Sequence, residues 1–171
     1  VIEAEHFHKA EPAAAAQWAV VPDMGRTLSG VALMPYTEPT DGASLSYRVM
    51  LPGFQGDSVD VRVVVKSTLD FLNIGGHCYN VSLDGGAPVT VNFNSDLNEA
   101  PENIYTKFYP TVASRVVEKV VRLPLGSAAA DGAHTLTLSP LAPGIVFEKI
   151  IVDCGGYEPS HLFMDETPYR K

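Results

Sequence analysis

Two runs with a period of two constrain this chain more than anything else in it. Leu45, Tyr47, Val49 and Leu51 alternate with Ser44, Ser46, Arg48 and Met50, and Val59, Val61, Val63 and Val65 alternate with Asp60, Arg62 and Lys66. A period of two sends successive side chains to opposite faces of a strand, so each run has one buried face and one wetter face. LPGFQGD between them supplies a turn. The arrangement recurs in Tyr79, Val81 and Leu83 against Asn80, Ser82 and Asp84, and the Gly pair of SLDGGAP then turns the chain into Val89, Val91 and Phe93. Gly pairs between alternating runs are hairpin signals.

The remaining segments extend the pattern. WAVVP at 18–22 and VALMP at 31–35 are short strands around a Gly-punctuated turn. Residues 9–16 are polar, Ala-rich and interrupted by Pro12, and are expected to form a loop. Residues 94–110 break the rhythm with Asn94, Asn98 and Asn103 and gather Tyr105, Phe108 and Tyr109, as a long binding loop would. Over 113–125, Val116, Val117, Val120 and Val121 recur at helical spacing, but β-branching and Pro124 favour a strand. Residues 131–156 are expected to close the fold as a hairpin, with Leu136 and Leu138 alternating against Thr135 and Thr137 before an apolar run that ends at Asp153. That hairpin should lie beside IEAEHF at 2–7, so that the two chain ends meet in one sheet.

About nine short strands and no helix of three turns predict an all-β jelly-roll β-sandwich. At 171 residues and 46% hydrophobic composition, one domain is expected over 1–156. A tail, 157–171, would then dock on it or on a partner through Leu162, Phe163 and Tyr169. A net charge of −8 with 12 scattered Lys and Arg excludes nucleic acid and anionic membrane surfaces as partners. No apolar run approaches membrane-span length. Cys78 and Cys154 make no disulfide framework and are expected as free thiols.

No catalytic motif is present: GxSxG, HExxH, CxxC and phosphate-binding glycine loops are all missing. Two chemistries remain. Glu3 and Glu5, at i and i+2 of one strand, would share a face, with Asp153 ending the neighbouring strand; carboxylates and turn carbonyls of this kind suit calcium. The competing reading leaves them as separate edge residues, one of them paired with Arg26. Sugar rings stack on aromatic side chains; the candidates are Trp18, Tyr36, Phe54, Tyr105, Phe108 and Tyr109, of which Trp18 reads as core and the loop residues Tyr105, Phe108 and Tyr109 are preferred, with ordinary packing as the alternative.

The ordered motifs IEAEHF, GRTLSGVALMP, LSYRVMLPG, YNVSLDGG, GAHTLTL and GIVFEKIIVD resemble the galactose-binding-like jelly rolls of carbohydrate-binding module families 6 and 35. With Trp18 ahead of GRT and the ending GGYEPSHLFMDETPY, the whole chain is similar to the C-terminal domain of glycoside hydrolase family 115, the xylan α-1,2-glucuronidases. The resemblance implies a non-catalytic accessory domain of an enzyme that removes glucuronic acid or its 4-O-methyl form from xylan, with the catalytic centre in other domains. It also implies an extracellular or periplasmic setting, a homodimer formed through the parent enzyme, or an independent module binding xylan-derived or uronic-acid sugars. From the modules it implies a structural calcium held through Glu3, Glu5 and Asp153. The modules' sugar-stacking aromatics lie in loops that do not align with this chain, so Tyr105, Phe108 and Tyr109 rest on their own chemistry.

Overall fold

In the computed structural model, which describes residues 1–168, eleven strands form two antiparallel sheets. The strands are β1 Ile2–Glu3, β2 Lys9–Glu11, β3 Gln17–Val21, β4 Gly30–Met34, β5 Ser44–Met50, β6 Ser58–Lys66, β7 Cys78–Leu83, β8 Val89–Asn92, β9 Val116–Pro124, β10 Ala133–Pro140 and β11 Val146–Asp153. One sheet runs β3-β4-β11-β6-β9 with β1 also on β11, and the other runs β2-β5-β10-β7-β8. The expected all-β jelly-roll sandwich is the observed fold.

The alternating runs explain the core. Leu45, Tyr47 and Val49 of β5 and Tyr79 and Val81 of β7 face Val61, Val63 and Val65 of β6 and Phe147 and Ile150 of β11 across the sandwich. The phenol of Tyr47 donates to Ala4 O at 2.9 Å, which satisfies the one polar atom the ring carries inside. The wet face of the second sheet is a polar ladder in which Ser46 and Thr137 lie opposite each other on β5 and β10. Within the ambiguous 113–125, residues 116–124 resolve as a strand: β9 pairs with β6 along its whole length, from Ser58↔Pro124 to Lys66↔Val116, while 113 and 114 end a short helix.

Four local expectations differ. The segment at 9–16 contributes a strand, β2, which pairs with β5 because an edge was open there. The 94–110 loop is partly helical, with a π-helical turn Ile104–Phe108 running into the short helix α1 Tyr109–Ser114. Residues 131–156 are not a hairpin: β10 pairs with β5 and β7, whereas β11 pairs with β1, β4 and β6, so the Pro143-Gly144 turn carries the chain from one sheet to the other. The chain ends do meet, through Ile2↔Ile150 and Glu3↔Lys149, but the first strand stops after Glu3 and a turn follows.

A bulge in β11 between Phe147 and Lys149 shifts the register against β6. Phe147 and Ile150 therefore both face the core, while Lys149 and Ile151 face outward. On that outer face the C-terminal segment lies down: Phe163 is buried against Val64, Val116 and Ile151. Thr167 N donates to Val1 O at 3.0 Å, extending the pairing past β1. Leu162 is exposed, and Tyr169 lies outside the described residues.

Candidate functional site

The aromatic loop is built by the helical turns at 104–114. Pro110 sits in the first turn of α1, where a missing N–H costs nothing. The turns bring Tyr105 and Tyr109 to a ring separation of 5.5 Å, edge to face, and Phe108 and Tyr109 to 5.9 Å, nearly parallel. Tyr105 is 74% exposed and Tyr109 is also exposed, with Phe108 half-buried beside them. A cleft of about 170 Å³ adjoins this surface, lined by Asp96, Lys107, Thr111, Glu118 and Lys119 among others. Lys119 Nζ is held by both oxygens of Asp96, at 2.8 and 2.9 Å. None of the three rings lines that cleft; exposed rings are what stacking on a sugar requires.

The three acids are placed differently. Glu3 is buried, with Oε1 3.0 Å from Lys149 Nζ and accepting from the Thr27 hydroxyl. Glu5 lies in the turn after β1, with Oε1 3.7 Å from His6 Nε2. Asp153 Oδ1 accepts from Gly155 N at 2.8 Å and Gly156 N at 3.3 Å, and Oδ2 is 3.6 Å from Arg62. Bonds from the Gly155 and Gly156 backbone, together with the Arg62 charge, hold the Asp153 carboxyl below its ordinary range against the opposing effect of burial. Glu3 and Glu5 do not share a face, because the strand ends between them. Arg26 pairs with neither acid; it donates to Ser114 O and contacts His161. Among the described residues no three His, Cys, Asp or Glu side chains group as a metal site. Calcium needs six to eight oxygens converging on one point, and the one buried carboxylate here already faces an ammonium, so these residues do not fit the ion.

Of a second surface, sequence reasoning singled out only Tyr36. Met34, Tyr36 and Phe71 line a wholly apolar groove of about 250 Å³ with Val21, Met24 and Val146. Phe71 is 50% exposed, and the same loop exposes Leu69, Leu72 and Ile74. Phe71 can lie where it does only over a glycine: Gly144 has φ +80, and a Cβ there would stand 2.6 Å from the Phe71 ring. Asp70 fixes the loop by accepting from Ile74 N, Gly75 N and Gly76 N at 2.8–3.1 Å. The signal in the sequence was LDFLNI at 69–74, four apolar residues with no alternation that could bury them.

The described residues form a two-layer antiparallel jelly roll that leaves an aromatic segment exposed, the fold class of galactose-binding-like β-sandwiches. The profile of the glycosyl hydrolase family 115 C-terminal domain matches residues 1–166, and the chain belongs to that family. Among solved structures it is similar to a family GH115 4-O-methyl-α-glucuronidase, BtGH115A, with specificity for decorated arabinogalactans (TM-score 0.59, 16% identity, covering 86% of this chain and 18% of that one). It is also similar to a family 35 carbohydrate-binding module from Clostridium thermocellum (0.55, 16%, 88% of this chain and 96% of that one). An exo-β-1,3-galactanase from Phanerochaete chrysosporium, solved with galactose, is a third (0.54, 17%, 89% and 28%). These likenesses concern the fold. No curated protein matches the chain. No helix among the described residues is long and apolar enough to cross a membrane.

Proposed function

We propose that this chain is a non-catalytic accessory domain of a family 115 glycoside hydrolase that removes glucuronic acid, or its 4-O-methyl form, from xylan outside the cytoplasm, and that the apolar groove seats it on other domains of the same polypeptide. The character of the groove carries this reading. A sugar needs convergent hydrogen-bonding groups, and the lining around Met34, Tyr36 and Phe71 exposes none. A neighbouring protein surface needs only shape and apolar contact there, and exposed apolar patches of this kind mark such interfaces. The family supplies the occupant, because this domain type spans only 18% of the related glucuronidase. In the full-length enzyme, Met34→Asp with Phe71→Asp is expected to free the domain, widening the small-angle scattering profile and exposing the junction to protease. Unchanged scattering and proteolysis would overturn the reading, and conversion of a dimer to monomers would assign the groove to a second copy instead.

The aromatic loop favours a second reading, an independent carbohydrate-binding module for xylan or uronic-acid sugars. Tyr105 and Tyr109 offer exposed rings, and Lys107 and Thr111 of the same turns line a cleft with the Asp96–Lys119 pair. Under this reading, titration with xylo-oligosaccharides or glucuronic acid gives heat in a calorimeter, and Tyr105→Ala or Tyr109→Ala abolishes it. No heat from the unmodified chain discards it.

A further inference from the structure

Lys149 is 1% exposed, and its position is a product of the bulge that turns it out of the core and under the C-terminal segment. Its Nζ lies 3.0 Å from Glu3 Oε1 and donates to Leu162 O at 2.9 Å and Met164 O at 3.0 Å. Two carbonyls accept from the nitrogen and a carboxylate stands at ion-pair distance from it, a surrounding made only of oxygens that suits a cationic side chain. Those oxygens come from β1 and from the tail, while the lysine itself stands on β11; one cation joins the first strand, the last strand and the chain end.

The tail is shaped for this contact. Phe163 and Met164 have φ +59 and +64, a left-handed pair that non-glycine residues adopt only where the surroundings impose it. The loop turns its carbonyls of 162 and 164 toward the same point, while Met164 N is capped by the Ser160 hydroxyl at 3.1 Å. Glu3 is fixed from the other side by the Thr27 hydroxyl. This is a cage of oxygens around a positive charge that never leaves, since it is covalently part of the chain.

We propose that Lys149 is the resident cation of this domain, doing with an ammonium what the resemblance to carbohydrate-binding modules assigned to calcium, so that the domain is metal-independent and its C-terminal latch depends on one buried lysine. The unmodified chain is expected to melt at the same temperature in EDTA and in millimolar calcium chloride, with no calorimetric heat on adding the metal. Lys149→Met is expected to lower the melting temperature and to speed hydrogen exchange about tenfold or more at the amides of Phe163 and Thr167, ahead of the sheet amides. Adding Glu3→Gln to Lys149→Met should recover part of the loss, because it removes the carboxylate left buried without a counter-charge. Stabilisation of the unmodified chain by calcium, loss of stability in EDTA, or unchanged exchange of the tail in Lys149→Met would each overturn the proposal. If Lys149→Met does not fold, Lys149→Arg and Glu3→Gln alone give the same tail-exchange readout. Protection of the tail equal to that of the unmodified chain in both would likewise overturn it.

Discussion

His77 is wholly buried between Phe71, at a ring separation of 4.9 Å, and Phe93, at 6.2 Å, and neither of its ring nitrogens has a hydrogen-bond partner among the described residues. Burial pushes its pKa below the ordinary 6.5, and Asp70, 3.5 Å away, opposes the shift without cancelling it. The unfolded chain takes up this proton near pH 6.5, while the folded chain holds it off until a lower pH. The stabilising contribution is therefore complete above about pH 6.5 and is lost as pH falls through that window. Glu148 acts in the opposite sense: burial raises its pKa above 4.5 against the nearby Lys66, so its contribution is present at low pH and is lost as pH rises. Urea unfolding between pH 5 and 7 should thus show His77→Leu with a flatter pH dependence than the unmodified chain, and parallel profiles would refute the assignment. The loop that seals His77 is the one that carries Phe71, so the buried imidazole and the exposed groove share a single support.

At the scale of elements, the outer face of the first sheet is divided. Between β6, β9 and β11 it is roofed by the C-terminal segment through Phe163, which is why Val64 is as buried as the inward-facing Val63 and Val65 of the same strand. Toward β3 and β4 the roof stops, and the groove begins. Phe163→Ala should lower stability by about 2–3 kcal/mol, below the range for fully internal aromatics because the ring lies under a single segment rather than within the core. Denaturant melts would measure this, and a loss under about 0.5 kcal/mol, the range of ordinary surface substitutions, would mean the segment is not a working part of the fold. Alternation made β5, β7 and β10 legible in the sequence, because each has one wetter face, and β6 as far as Val63, before the roofed Val64 breaks the pattern. It could not locate the bulge at Phe147 to Lys149: Glu148 and Lys149 are adjacent charges inside an otherwise apolar strand, and a period of two does not say which of them is the extra residue.

For the whole molecule, the two chain ends and the family profile give one consistent picture: a closed sandwich whose first and last strands are neighbours, matching the family 115 C-terminal domain over residues 1–166. The surfaces left over are of two kinds. One is aromatic, at Tyr105, Phe108 and Tyr109; the other is apolar, around Phe71. Sequence alone determined the fold class and the Asp84-Gly85 hairpin, because those follow from local periodicity and turn chemistry, while the meeting of the ends was expected only from the way such a sandwich closes. Tertiary structure alone decided that the apparent closing hairpin bridges two sheets, that Glu3 faces Lys149 rather than Glu5 or Arg26, and that LDFLNI is left on the surface. These are matters of which distant segments come to rest against each other, and pairings across more than a hundred residues are set by the packing of the complete core rather than by any stretch of neighbours within it.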